Sequence, residues 1–335
     1  MRVSVALATY NGASHLREQL ASIVGQTMPP AELVVSDDGS TDGTLEIVRA
    51  FARAAPFPVV IADKTERLGF SDNFLHAAET CRHELVAFCD QDDVWLPSKL
   101  ETCVGRIRKD GSLLAMHTLT VTDENLLPTG LHWIQGIIAD RAYEPLELDP
   151  YMTGWGNSMV LRRDLVRLID RAKRPRQPER RHLPLSHDTW VYMLAAALGR
   201  VSHITAPLIL YRQHSANAEG VAMPKRRSRL SDIRQVPLAR FRERASIDDH
   251  MATLLREVER DAGPYAGAAR VAALKLEERS TLRSARARMF DGNSVKSRLR
   301  AYHTYHHMAD PRPRTASRIK SFVLGVAGLR LPKES

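Results

Sequence analysis

The chain has 335 residues, of which 44% are hydrophobic and 26% charged, and its formal net charge is +9. This composition is typical of a globular protein with one large domain and an appendage, and it excludes collagen-like, low-complexity and disulfide-scaffold classes. No apolar run reaches the ~18–20 residues of a membrane-spanning helix, and the apolar start of the chain is shorter than the ~7–15-residue core of a signal peptide.

The cysteine content predicts the redox environment. Cys81, Cys89 and Cys103 are odd in number and form no C-x-x-C pair. We therefore expect reduced thiols in a cytoplasmic protein.

The charge is unevenly distributed along the chain. Residues 1–220 carry 23 Lys and Arg against 27 Asp and Glu, a net charge of −4, whereas residues 221–335 carry 25 against 12, a net charge of +13. We predict a domain at 1–220 and a basic helical region at 221–335. Such a region is suited to phosphates or an anionic membrane surface, and solvated helix faces rich in arginine are the alternative.

Strand and helix signals alternate from the start of the chain. We predict strands at 3–8, 32–36, 59–62 and 85–89, with helices at 15–24, 44–54 and 73–81 between them. This order indicates an α/β fold with a mostly parallel sheet, in which ligands bind beyond the carboxyl ends of the strands.

The pattern is weaker after Gly111. We predict a long loop at 128–156, a helix at 161–172, a helix that begins near Asp188, and short strands at 201–205 and 208–211. In the basic region one apolar helical face is predicted. Its residues are Ile247, Met251, Leu254, Leu255 and Val258.

The strongest chemical signal is Asp90-Gln91-Asp92-Asp93, directly after an apolar strand. Carboxylates this close raise one another's pKa unless a cation neutralises them. Hard oxygen ligands suit Mg²⁺ or Mn²⁺, which also bind a substrate diphosphate. We therefore predict a metal–phosphate site here, with an acidic surface turn as the alternative.

Three further clusters are weaker signals when taken singly. Turns at 9–12 and 37–40 follow the first two strands and make a nucleotide crevice plausible. Asp188 lies in the first turn of a helix, where an acid is usually a dipole partner. Arg212 and His214 follow the last strand, where a guanidinium and an imidazole could contact a phosphate or a metal.

Together these clusters resemble a known family. The order T-Y-N-G at 9–12, D-D-G-S-x-D at 37–42, D-Q-D-D-V-W at 90–95, H-D-x-W at 187–190 and Y-R-Q-H-x-x-N at 211–217 is similar to glycosyltransferase family 2, with its GT-A fold. Bacterial rhamnosyltransferase-like members are the nearest likeness. The resemblance covers about residues 1–218 and leaves out the basic region.

The resemblance implies a metal-dependent, inverting glycosyltransferase with Asp188 as general base. It implies a donor site made of Thr9, Tyr10, Asn11, Asp38, Gly69, Asn73, Asp90, Asp92 and Arg212. It implies a site for Mg²⁺ or Mn²⁺ made of Asp92, Asp93 and His214. We expect acceptor contacts from Trp155, His187 and Trp190.

The implied donor is dTDP-rhamnose or a UDP-sugar, and the implied acceptor is a glycan or a polyprenyl-diphosphate-linked sugar of the cell surface. No nucleic-acid partner is expected. A marginal basic helix at 316–329 needs a surface to dock on, either the protein's own helices or an anionic membrane. The membrane would make the protein peripheral at the inner face of the membrane.

Two other enzyme classes explain these residues less well. Asp90-Gln91-Asp92-Asp93-Val94 fits the nucleophile motif of haloacid-dehalogenase-type phosphatases, with Asp90 as nucleophile, but three strands precede it here. A Rossmann dehydrogenase is excluded because no G-x-G-x-x-G follows the first strand. A non-enzymatic binder of nucleic acid or membrane would leave the acidic cluster without a function.

Overall fold

A computed structural model describes residues 1–133, 137, 139–149, 151, 155–178, 180, 182–215, 238–291 and 294–308. The chain divides into two compact units. The first consists of Met1–Arg174 and Leu185–Val221, and the second of Pro175–Pro184 and Ala222–Ser335. The functional division at residue 220 stays a prediction.

The first unit is built of strands and helices in alternation. Its strands are β1 Val3–Thr9, β2 Glu32–Asp37, β3 Val59–Ile61, β4 Leu85–Cys89, β5 Val94–Trp95, β6 Leu114–Thr122, β7 Pro128–Trp133, β8 Ala142–Tyr143, β9 Met159–Arg162 and β10 Val201–Arg212. Its helices are α1 Leu16–Val24, α2 Thr44–Ala52, α3 Phe70–Thr80, α4 Lys99–Asp110, α5 Asp164–Arg167 and α6 His187–Leu198.

All ten strands form one sheet in the order β3-β2-β1-β4-β9-β6-β10-β5, with β7 on β6 and β8 on β10. The first four strands are parallel, as predicted. Strands β1, β2 and β4 are buried along their whole length, which is typical of parallel strands covered on both faces. Their carboxyl ends meet at one edge, and this brings the turns at 9–12, 37–40 and 90–93 together.

The rest of the sheet is mixed. Strand β9 lies between β4 and β6 and is antiparallel to both, so the predicted helix at 161–172 was wrong at its start. Strand β6 was not predicted at all. The two strands predicted at 201–205 and 208–211 are one strand, β10, whose register against β6 shifts on either side of Pro207. Proline has no N–H for the ladder, which explains the irregularity.

The second unit contains long helices in its described part: α7 Leu238–Arg260, α8 Ala266–Asp291 and α9 Val295–Met308. The predicted apolar face of α7 is buried along its length, which confirms the helical periodicity. Asp248 of α7 is fully buried and ion-paired with Arg279 and Arg283 of α8. Among the residues described, no helix combines the length and apolar character needed to cross a bilayer.

Candidate active site

A cavity of about 350 Å³ lies at the carboxyl edge of β1, β2 and β4. It contains nine of the residues predicted for the site, from both the donor and the acceptor groups. They are Thr9, Tyr10, Asp38, Asn73, Asp90, Asp92, Trp155, His187 and Asp188. Thus segments far apart in sequence, including the first turn of α6, converge on one space large enough for a small ligand.

Asp38 anchors the loop that leads into α3. Its carboxylate accepts hydrogen bonds from Lys64 Nζ at 2.7 Å and from the backbone N–H groups of Leu68 at 2.7 Å and Gly69 at 2.9 Å. Burial alone raises the pKa of Asp38, but these donors outweigh it and hold the pKa below its usual value. Gly69 has φ +81°, a backbone conformation that favours glycine. Gly69 therefore contributes to the predicted donor site through its backbone.

Asn73 and Gln91 join the turns beneath the cavity. Asn73 Nδ2 donates to the carbonyls of Thr9 and Ser36, and Asn73 Oδ1 accepts from Ser36 Oγ. The Gln91 amide pairs with both backbone groups of Tyr10, at 2.9 and 3.0 Å. The cavity wall therefore has a fixed shape without a ligand.

The acidic cluster contains groups in different environments. Burial and the nearby charges of Asp93, Asp92 and Asp188 raise the pKa of Asp90 well above its usual value. Burial, together with the charge of Asp92, also raises the pKa of Asp93. The counter-charge is Lys99, whose side chain is fully buried and lies 3.5 Å from the centre of the Trp95 ring. Burial lowers the pKa of Lys99 to about 8.

Asp92 and His214 fit a divalent metal ion. Asp92 Oδ2 lies 2.9 Å from His214 Nε2, and the two side chains are 15% and 10% exposed. Two neighbouring ligands at ~2.1 Å from an octahedral ion are ~3.0 Å apart, so both atoms could bind the same ion. Carboxylate and imidazole ligands suit Mn²⁺. No group of three or more His, Cys, Asp or Glu in the described part of the chain could hold an ion, so water and substrate oxygens would complete the coordination.

Asp188 has one occupied and one available oxygen. Its Oδ1 accepts from the backbone N–H of Thr189 at 2.6 Å and from Ser186 Oγ at 2.5 Å. No hydrogen bond to Oδ2 is formed by any described residue, and the side chain lines the cavity. A carboxylate held by one oxygen presents the other in a defined direction, as a general base requires.

Two of the predicted site residues have their polar groups hydrogen-bonded within the protein. Asp93, predicted as a metal ligand, is fully buried, and its oxygens accept from Asn157 Nδ2 at 2.6 Å and from the backbone N–H of Arg212 at 3.2 Å. The Arg212 side chain, predicted to bind the donor, is also buried and donates to the carbonyls of Asp92 and Glu124 and to Glu18. Both residues therefore hold the loop that carries Asp92.

Four further predicted residues lie outside the cavity lining, namely Gly69, His214, Trp190 and Asn11. Trp190, predicted to contact the acceptor, is fully buried because α6 is apolar on nearly all sides. Asn11 has φ +48° and pairs with Ser40 and Thr41 across the turns, so it shapes the cavity from behind.

Several lining residues were not assigned from the sequence. Arg67 lies over the Tyr10 ring at 4.1 Å, and Asn157 follows Gly156 in a short 3₁₀ turn. Gln91 and Tyr211 lie within the motifs at 90–95 and 211–217 but were given no role, and the other missed residues lie in none of the quoted motifs. The missed lining residues are Ala8, Arg67, Phe70, Phe74, Gln91, Gly156, Asn157 and Tyr211.

Gly156 lies against His187, whose ring stacks on Phe74 at 4.1 Å and is bordered by Phe70 and Phe88. A Cβ added at Gly156 would lie 2.4 Å from His187 Nε2, and the confined ring cannot yield. We expect Gly156→Ala to lower the free energy of unfolding by ~1–3 kcal/mol in urea titrations. It should also slow catalysis, because the first turn of α6 carries Asp188.

The control for this prediction is Gly105→Ala, since nothing lies within 4 Å of a Cβ there. Adding His187→Ala to Gly156→Ala should restore part of the lost stability. A Gly156→Ala protein as stable as the parent would mean that the ring is free to move.

The arrangement of fold and site defines a nucleotide-binding α/β domain with an acidic cluster at the carboxyl edge of a parallel half-sheet. Residues 4–169, about half of the chain, match the family model "Glycosyl transferase family 2". The chain therefore belongs to glycosyltransferase family 2, and the matched residues lie within its first unit.

Curated relatives agree with this family. A glycosyltransferase of Nostoc is 28% identical over 65% of this chain and 66% of its own length, and a dTDP-rhamnosyl transferase of Shigella flexneri is 25% identical over 64% and 73%. A chondroitin synthase of Escherichia coli is 31% identical over 39% of this chain, a match that spans 19% of that protein. The chain thus spans about two thirds of the Nostoc relative, 73% of the Shigella flexneri relative and 19% of the chondroitin synthase.

A solved structure shares the fold. TarS 1–349 of S. aureus, crystallised with UDP-GlcNAc, superposes with a TM-score of 0.54 at 17% identity. The superposition covers 97% of this chain and 89% of that one. This likeness supports the GT-A type of fold that the sequence predicted.

Proposed function

We propose that the protein transfers a sugar from a nucleotide diphosphate-sugar to an acceptor hydroxyl, with inversion at the anomeric carbon. The observation that carries the proposal is the single cavity lined by Asp38, Asp92 and Asp188. It joins a candidate nucleotide site, a candidate metal ligand and a carboxylate with an available oxygen. Metal-dependent sugar transfer uses all three.

The donor half of the cavity suits a nucleotide. Thr9, Tyr10 and Asp38 line it at the ends of β1 and β2, and the Arg67 guanidinium lies beside them. We assign the base and ribose to these residues and the diphosphate to the region of Asp90 and Asp92. Asn73, Gly69 and Asn11 shape this region through the backbone.

Asp92 and His214 would hold Mg²⁺ or Mn²⁺ beside the diphosphate. When bound, the ion would offset the negative charge that develops on the departing nucleotide diphosphate. Asp93, Arg212 and Lys99 hold the loop and balance its charge.

Asp188 Oδ2 would take the proton from the acceptor hydroxyl. The acceptor oxygen then forms a bond to the anomeric carbon as the bond to the diphosphate oxygen breaks, and the nucleotide diphosphate leaves. A single displacement of this kind inverts the configuration. We assign the acceptor to the side of the cavity lined by Trp155 and His187.

The donor sugar is proposed from the relatives. Rhamnose from dTDP-rhamnose is favoured because a relative named as a dTDP-rhamnosyl transferase is 25% identical. A UDP-sugar is the second candidate, since the structural neighbour binds UDP-GlcNAc. A cell-surface glycan or a polyprenyl-diphosphate-linked sugar is the proposed acceptor.

The phosphatase alternative has no support in either the site or the relatives. A nucleophilic Asp90 should be ionised, yet burial and three neighbouring carboxylates raise its pKa.

We propose a cytoplasmic protein that is peripheral at the inner face of the membrane. The basic helix predicted at 316–329 and the last motif residue, Asn217, lie outside the described residues.

A donor panel tests the proposed function. Purified protein is incubated with dTDP-rhamnose, UDP-GlcNAc or GDP-mannose, with Mg²⁺, with Mn²⁺ or with EDTA, and the released nucleotide diphosphate is measured. We expect metal-dependent release with dTDP-rhamnose above the other donors. Preference for a UDP-sugar would change the donor and keep the reaction. No binding or turnover of any nucleotide sugar would contradict the proposal.

A further inference from the structure

The second unit carries a basic cavity between α8 and α9. Its volume is about 510 Å³. The described residues that line it include three cations, three hydroxyl groups and no carboxylate. They are Arg288, Ser294, Lys296, Ser297, Arg300, Ala301 and Thr304. Side chains of these types donate hydrogen bonds and carry positive charge, so the cavity is suited to an anion.

The cations of this cavity differ from other arginines of the helices. Arg279 and Arg283 form ion pairs with the buried Asp248. In contrast, the side chains of Arg288, Lys296 and Arg300 form no ion pair or hydrogen bond with any residue in the described part of the chain. Residues 279–308 contain seven Lys and Arg and a single acidic residue. Within the described residues, the positive charge at the cavity is therefore not neutralised.

Exposed apolar side chains lie beside these cations. Val295 is 60% exposed and Leu299 is 44% exposed, one turn apart on α9. Lys296 and Arg300 directly follow them in sequence, so an apolar pair and a cationic pair run side by side along the helix. A soluble anion would use only the cations. A bilayer surface would use both, because apolar side chains enter the acyl boundary while cations contact the phosphates.

We propose that Arg288, Lys296 and Arg300, with Val295 and Leu299, form a headgroup site that docks on an anionic phospholipid bilayer, with lipid phosphate in the cavity. This site lies within the described helices and is distinct from the segment at 316–329. It does not depend on the transferase reaction, because docking is measured without a donor.

Co-sedimentation with vesicles tests the site in the full-length protein. The vesicles contain phosphatidylcholine alone or phosphatidylcholine with phosphatidylglycerol. Changing Arg288, Lys296 and Arg300 to Gln should weaken partition to the anionic vesicles roughly 100-fold, because each cation near such a surface contributes a factor of about five. Val295→Ser with Leu299→Ser should weaken it about 10-fold.

A matched control removes the same charge elsewhere. Arg53, Lys109 and Lys275 are exposed, and none lines the cavity. Their triple change to Gln should alter partition less than about threefold, since they are not part of the proposed headgroup site and salt screens exposed charges that do not contact the bilayer. Circular dichroism and thermal melting show whether each variant is folded, and the exposed apolar pair offers a second test should the cation variant unfold.

The outcomes separate the sources of phosphate. Selective loss in the cavity variants, with no competition by inorganic diphosphate, supports the headgroup site. Equal loss in the control variant would overturn it as a general charge effect. Release from vesicles by inorganic diphosphate would show a site for soluble anions, and retention on nucleic acid that the cavity variants alone lose would show a nucleic-acid site. Either result would contradict docking on lipid.

Discussion

Asp188→Asn is expected to lower the turnover number at least ~10²-fold and to leave donor affinity nearly unchanged. Asparagine retains the size of the side chain, and its carbonyl oxygen can still accept from the backbone N–H of Thr189. It cannot take a proton from the acceptor at Oδ2. Turnover would be measured by nucleotide diphosphate release with acceptor present, and donor affinity by calorimetry with the nucleotide diphosphate.

A matched control separates base catalysis from helix electrostatics. Glu46 is an exposed acid in the first turn of α2, so Glu46→Gln removes a charge from the same kind of position and should leave turnover unchanged. If Asp188→Asn lost donor binding but retained turnover of the donor that does bind, Asp188 would be a binding residue and the base would lie elsewhere.

Asp92→Ala is expected to weaken Mn²⁺-dependent binding of the nucleotide diphosphate by about 100-fold or more. The variant loses one of two protein ligands, and loss of even an outer partner of a metal ligand typically costs ~10–100-fold in metal affinity. His214→Ala should have a similar effect. The double variant should be little worse than either single one, because both side chains act through the same ion. In EDTA all four proteins should bind the nucleotide diphosphate alike.

This test uses Asp92 alone for a structural reason. Removing both Asp92 and Asp93 would relieve the repulsion between crowded carboxylates, and from the sequence alone this change would be harmless to the fold. In the structure, loss of the Asp93 carboxylate would leave buried N–H groups of Asn157 and Arg212 without partners, which typically costs ~1–3 kcal/mol for each. A control is Asp249→Ala, an exposed acid of α7. Unchanged Mn²⁺ dependence in Asp92→Ala would place the metal elsewhere.

The sequence alone determined the parallel half of the sheet and the edge at which the ligand binds. Strands β1, β2 and β4 are short apolar runs, each followed by polar turn residues, and both signals are local along the chain. The order of motifs also sufficed for the family, since the acidic cluster at 90–93 and the turns before it are contiguous. Five of the nine predicted residues in the cavity come from these turns, namely Thr9, Tyr10, Asp38, Asp90 and Asp92.

Only the tertiary structure decided which side-chain oxygen and nitrogen atoms of the candidate site are available to contact a ligand. Asp92 and Asp93 are adjacent in sequence. Asp92 faces His214, whereas both oxygens of Asp93 accept hydrogen bonds, from Asn157 and from the backbone N–H of Arg212. Strand β9 likewise became a strand because β4 and β6 lie on either side of it. The hydrogen-bond partners of Asp92 and Asp93 lie 64 to 122 positions away in sequence. The local sequence around the two residues therefore could not predict these partners.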